Sequence, residues 1–229
     1  MSVIAANLQA VESDIAAAAQ QAGRPASEVA LLAVSKTVPV ARIREAYEAG
    51  QRAFGENYVQ EGVEKIGALD DLRGGIVWHF IGPLQSNKTR VVAEQFDWVH
   101  AIDRLKIAER LSAQRPAGLA PLQVCIQVNI SGEDTKSGVA PDEVPALAQA
   151  IAALPNLQLR GLMAIPAQAN DPVAQRRPFA DLRRLLDQLR QSGLNVDTLS
   201  MGMSADMDAA IAEGATLVRI GTAIFGARG

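Results

Sequence analysis

Two places in this 229-residue chain combine residue types able to do chemistry. The first is Lys36, which follows the run Leu31, Leu32, Ala33, Val34, Ser35. Side chains alternate along a strand, so Leu32, Val34 and Lys36 share one face; if the two apolar residues fill an interior, the lysine projects into its mouth. A lysine held over an apolar interior loses hydration, its pKa falls, and the neutral amine can attack a carbonyl. Lys36 is therefore a Schiff-base candidate, the alternative being a lysine that merely ends a strand and snorkels to water. The second place is C-terminal. SMGMS at 200–204 leads from an apolar run into a helical pattern, and Gly221 and Thr222 follow another apolar run at 216–220. Hydroxyls, a flexible glycine and the unpaired amides of a helix start suit an anion such as phosphate, with ordinary turn and capping chemistry at Ser204 as the alternative. Arg219 shares a face with Leu217 and Gly221 and can point inward. Two inward cations, Lys36 and Arg219, call for an anionic, polarisable ligand to offset their burial.

Positioning these groups requires a scaffold, and the hydropathy pattern supplies one. Strands are expected at 31–35, 53–55, 77–81, 98–102, 122–130, 157–165, 196–201 and 216–220. Helical patterns separate them, at about 39–50, 58–69, 87–95, 105–114, 141–154, 179–191 and 206–212. Such alternation calls for parallel strands with right-handed crossovers. Eight strands predict a closed (β/α)8 TIM barrel, read as a single domain over 1–229. An N-terminal helix within 1–23 is expected to pack on the barrel, because Ile4, Leu8, Val11 and Ile15 recur at helical spacing before Gly23 and Pro25. An open doubly wound sheet would carry a glycine fingerprint after its first strand, where Ser35, Lys36 and Thr37 stand instead. In such barrels reactive groups lie at the C-terminal ends of strands, and the loops after strands seven and eight commonly bind phosphate. Closure would also make strand eight the neighbour of strand one and bring Arg219 close to Lys36.

Composition narrows the partners. Apolar residues make up 48% and charged residues 21%, enough to bury a core, and the net charge of −3 gives no basic field for nucleic acid or an anionic membrane. No apolar run approaches the 18 or so residues of a membrane span. Glu12 and Asp14 argue against an N-terminal targeting signal. Cys125 is the single cysteine, which excludes disulfide frameworks and fits a reducing cytoplasm, and His79 and His100 are too few for a His-rich metal cluster. The expectation is a cytoplasmic monomer that binds a small molecule. His79 shares a face with Val77 and Ile81 and is either a structural or a site histidine. Cys125 reads as a buried, inert thiol. In the helix at 179–191, Phe179, Leu182, Leu186 and Leu189 form an apolar stripe that leaves Arg183, Arg184 and Arg190 on a solvated face. The loop at 131–140, with Glu133, Asp134 and Lys136 between Gly132 and Gly138, is either a mobile lid through which ligand leaves or a plain surface loop.

Several linked motifs carry a resemblance: AVSKTVP at 33–39, FGENYVQE at 54–61, WHFIGPLQSNK at 78–88, GLMAI at 161–165, LSMGMSADM from Leu199 and VRIGTAIFGAR from Val218. Over 31–229 the sequence resembles the pyridoxal 5′-phosphate homeostasis proteins, the YggS/PROSC-type family related to the barrel domain of alanine racemase. The resemblance implies that Lys36 holds pyridoxal 5′-phosphate as an internal aldimine. It further implies that Ser200, Gly202, Met203 and Ser204, with Gly221 and Thr222, bind the phosphate, and that Arg219 faces the pyridine nitrogen. Asn57, His79 and Met163 match positions lining the same mouth. An arginine there keeps the ring nitrogen unprotonated and weakens the ring as an electron sink. Racemases compensate with a second base from an additional domain, whereas this sequence stops at Gly229 and its tyrosines, Tyr47 and Tyr58, fall on early helices. The expected function is non-catalytic: holding, buffering or delivering the cofactor, with pyridoxal phosphate-dependent apo-enzymes as partners, in vitamin B6 and amino-acid homeostasis. The alternatives are a fold-type III enzyme such as an amino-acid racemase of low activity and, from the barrel alone, a sugar-phosphate enzyme using Lys36 in aldol-type chemistry.

Overall fold

Short apolar runs broken by polar turns become strands because each can bury one face in a barrel interior and the other under helices. The structure, a computed structural model, describes residues 2–133, 137–169 and 171–226. After helix α1 (Val3–Gln21) come β1 (Ala30–Val34), α2 (Val40–Glu48), β2 (Ala53–Glu56), α3 (Val59–Ala68), β3 (Val77–Phe80), α4 (Thr89–Gln95), β4 (Trp98–Ile102) and α5 (Leu105–Gln114). The second half continues with β5 (Leu122–Gln127), α6 (Val144–Ala152), β6 (Leu157–Met163), α7 (Pro172–Gln191), β7 (Thr198–Ser200), α8 (Met207–Ala212), β8 (Leu217–Ile220) and α9 (Thr222–Phe225). The strands run β1 to β8 in sequence order, and β8 closes in parallel on β1 with Leu32 opposite Arg219. This is the expected (β/α)8 barrel with its additional N-terminal helix.

Most buried apolar volume lies between sheet and helices, where Phe54, Trp78, Phe80 and Phe96 are fully covered. The barrel interior holds two smaller clusters, Leu32 with Ile81 and Leu217, and Ala101 with Cys125 and Met163. Helix α1 buries Ile4, Leu8, Val11 and Ile15 as its periodicity predicts, lying against α2, α8 and α9, and Asn7 donates from Nδ2 to the Ile224 carbonyl at 2.9 Å.

Three expectations needed correction. Strand β5 stops at Gln127 rather than 130, because the chain then folds on itself: Asn129 N–H donates to Val139 O, and Val139 N–H to Gln127 O. Helix α7 begins at Pro172 rather than 179, capped by Asp171, whose side chain accepts from Ala174 N–H at 2.7 Å. Pro178 lies inside it, a residue that argues against helix in isolation but is accommodated here in the second turn. The arginines of α7 are paired rather than merely solvated: Arg183 with Glu213, Arg184 with Asp181, and Arg190 with Asp187. No helix among the described residues is long and apolar enough to cross a membrane, and no group of three or more metal-ligating side chains is found among them.

Candidate cofactor site

Strand alternation places Lys36 as the sequence predicts. Ser35 is buried on the outer, helix-facing side, and the half-buried Lys36 takes the same side as Leu32 and Val34, over the barrel mouth. The turn closes with Val38 N–H on the Ser35 carbonyl at 3.0 Å, and its next residue, Thr37, has φ +62°. A left-handed conformation is uncommon for a β-branched residue and persists only where the surroundings enforce it.

Across the mouth, Asp206 rather than Ser204 stands at the N-cap position of α8, with no side-chain bond into the helix, and its carboxylate instead accepts the preceding Met203 N–H at 2.6 Å. Ser204 lines the cavity, and the backbone N–H groups of Ser204, Ala205, Gly221 and Thr222 donate to no described residue. Gly221 lets β8 pass close to β1, since a Cβ there would stand 3.0 Å from the Val34 carbonyl oxygen, a tight contact.

Arg219 is 5% exposed and held by three acceptors. It donates to the Ser200 carbonyl at 2.6 Å, to Ser200 Oγ at 2.9 Å and to the Ala164 carbonyl at 2.9 Å. Burial pulls its guanidinium down to about 10, which leaves it charged at neutral pH. Behind it a polar chain runs into the barrel: Ser200 Oγ lies 2.8 Å from His100 Nδ1, and His100 Nε2 lies 2.9 Å from His79 Nδ1. Burial lowers His79 to about 3, and it lowers His100 as well, so both rings are neutral.

These elements enclose a cavity of about 290 Å3 at the C-terminal ends of the strands. It brings together Lys36, Asn57, Met203, Ser204, Arg219, Gly221 and Thr222 from the expected set, with Val34, Ile81, Ile165 and Ala205 beside them. Four expected residues do not reach its wall. Ser200 lies deeper and accepts from Arg219, His79 lies deeper still against His100, Met163 packs with Ala101 and Cys125 in the interior, and Gly202 shapes the β7 turn while its carbonyl accepts the Arg219 N–H at 2.9 Å. Sequence reasoning gave His100 no role at the site. The available signal was its alternation with Trp98, since both enter the interior from β4 and surround His79. In the loop at 131–140, Asp134 and Lys136 lie outside the described residues, and with them the lid expectation.

A larger cavity, about 570 Å3, opens at the opposite end of the barrel, by Ala30, Trp98, Thr198 and Leu217 at the starts of their strands. Its arginines are already matched: Arg24 with Glu28, Arg160 with Asp197, Arg183 with Glu213 and Arg190 with Asp187. The smaller cavity has the chemistry. An amine, a hydrogen-bonded guanidinium, two hydroxyls and four undirected amides converge there, and Asn57 Oδ1 is buried with no partner among the described residues. That donor set fits a ligand with an aldehyde at one end, an anionic phosphate at the other and a polar ring between.

Comparison with known proteins gives the same direction. The model of the alanine racemase N-terminal domain family matches residues 6–229. Proteins named pyridoxal phosphate homeostasis protein match the whole chain, that of Pseudomonas aeruginosa at 62% identity, covering 100% of this chain and 97% of its own. That of Escherichia coli K12 is 58% identical and covers 100% and 98%. Among solved structures, PipY of Synechococcus elongatus with pyridoxal phosphate bound is 39% identical, with a TM-score of 0.85 over 97% of this chain and 100% of its own. Alanine racemase of Corynebacterium glutamicum, at 21% identity and a TM-score of 0.67, shares the fold and is longer, 61% of it being covered. Fold, motifs and full-length identity together show that the chain belongs to the alanine racemase N-terminal domain family and, within it, to the pyridoxal phosphate homeostasis proteins.

Proposed function

We propose that this protein binds pyridoxal phosphate in the 290 Å3 cavity and serves the cell as a holder and donor of that cofactor rather than as an enzyme acting through it. When bound, the cofactor would supply an electrophilic aldehyde able to react with an unprotonated amine. Lys36 provides that amine. Ser204, Thr222 and the amides of the β7 and β8 turns hold the phosphate, and Arg219, fixed by Ser200 and Ala164, presents its cation to the ring. The observation that carries this reading is the convergence of Lys36, Arg219 and the two turns on one cavity.

The non-catalytic part rests on what the wall contains. Lys36 and Arg219 are the titratable side chains of its wall among the described residues, and the nearby Asp206 carboxylate, which acts on Arg219, lies outside that wall and is engaged by the Met203 N–H. Delivery to apo-enzymes, action in the cytoplasm and a monomeric state complete the proposal. The test is spectroscopic: protein loaded with pyridoxal phosphate retains borohydride-fixed cofactor at Lys36, and Lys36→Ala fixes none. Fixation elsewhere would overturn the site. Exchange of a substrate α-hydrogen with deuterated solvent by the loaded protein would overturn the non-catalytic reading.

A further inference from the structure

The motif FGENYVQE contributes Asn57 to the cavity, yet both of its carboxylates, Glu56 and Glu61, point elsewhere. They meet Lys65 of α3 behind the turn that carries Lys36. Lys65 is 5% exposed, and its Nζ donates to Glu61 Oε1 at 2.6 Å, to Glu56 Oε1 at 2.9 Å and to the Ser35 carbonyl at 2.6 Å. Ser35 Oγ donates to the same Glu56 oxygen at 2.6 Å, and Glu61 Oε1 accepts the Thr37 N–H at 2.5 Å. The residues on both sides of Lys36 are thus tied to one ion cluster, buried at Lys65 and Glu56 and partly exposed at Glu61, while Lys36 itself faces the opposite way, into the cavity.

We infer that Lys65, with Glu56 and Glu61, is a positioning group for Lys36: the cluster holds Thr37 in its left-handed conformation and so keeps the Lys36 amine aimed at the cofactor aldehyde. Thr37 at φ +62° relaxes to negative φ unless something opposes it, and that rotation would swing the preceding side chain. The Thr37 N–H bond to Glu61 is the opposing contact on one side of Lys36, and the Lys65 bond to the Ser35 carbonyl fixes the other. A cluster meant only to join α3 to the sheet would have no need to grip both neighbours of one lysine. Glu56 is fully buried, its Oε2 has no partner among the described residues, and burial raises its pKa against the pull of Lys65 and Ser35. Glu56 therefore depends on Lys65, whereas the partly exposed Glu61 can be removed without stranding a buried charge.

This inference rests on Lys36 as the attachment point, and the experiment separates the two. Glu61→Ala and Lys65→Met are mixed with pyridoxal phosphate, and the rate of borohydride-fixable attachment is followed by absorbance and mass. Affinity for pyridoxamine phosphate, which shares ring and phosphate but has no aldehyde, is measured in parallel. The expected result is attachment slowed about tenfold or more, the scale of a released strained turn, with pyridoxamine phosphate affinity within about threefold of wild type. Thr37→Gly, which reaches positive φ without a Cβ penalty, is expected to recover much of the rate in the Glu61→Ala background. Attachment at the wild-type rate in Glu61→Ala would overturn the inference, as would equal loss of both readouts or a folded double variant without recovery. Should Lys65→Met fail to fold, Glu61→Ala and its double variant decide. None of these outcomes bears on which lysine carries the cofactor, which Lys36→Ala alone answers.

Discussion

Arg219, Ser200, His100 and His79 form a line of buried polar groups whose value depends on every contact being made. Removing the Ser200 hydroxyl takes a partner from both Arg219 and His100, so Ser200→Ala should cost about 1–3 kcal/mol in urea unfolding. The two histidines also give the fold an acid limit. His79 titrates at about 3 in the folded protein against an ordinary 6.5, so between these values the unfolded chain binds the proton and the folded one does not. Stability should therefore fall as pH drops through that window, by up to about 1.4 kcal/mol per pH unit for one such group, with His100 shifted in the same direction. Urea midpoints between pH 7 and 4.5 test this, and an unchanged slope in His100→Gln would contradict it. The parity of Lys36 and Arg219 was legible in the sequence because it needs only alternation along one strand. The partnership of His100 with Ser200 was not, because it joins β4 to β7 across the interior, 100 residues apart in the chain.

At the level of elements, alternating apolar runs and helical patterns announced eight strands, and the order β1 to β8 follows from right-handed crossovers. Ends were harder to read, because they depend on contacts far away in sequence. Pro178 concealed the first two turns of α7, whose start is set by the Asp171 cap, and loop contacts at Val139 cut β5 short. Gly202 shows how tightly the turn after β7 is constrained: its φ is +94°, and an added Cβ would stand 2.7 Å from the Ala210 Cβ. Gly193, at φ +90°, has nothing within 4 Å of that position. Gly193→Ala should thus incur only the left-handed penalty of about 1–2 kcal/mol, and Gly202→Ala that penalty plus a displacement of α8. Equal losses of stability for the two variants would show that α8 yields freely.

The barrel as a whole keeps its one thiol away from solvent. Cys125 is fully buried in the interior, and burial pushes its thiol up to about 12. Labelling by a maleimide under native conditions should therefore proceed at the rate set by unfolding, and urea should accelerate it in step with loss of structure. Fast labelling at neutral pH would reveal a local opening between β4, β5 and β6. The Arg219 guanidinium has a consequence on this same scale. Because its hydrogens already stitch the tips of β6, β7 and β8 together, the receptor is finished before its guest arrives. A site built this way should bind without first ordering those strand ends, so pyridoxamine phosphate should associate without a lag, and a slow concentration-independent phase in stopped-flow binding would contradict it.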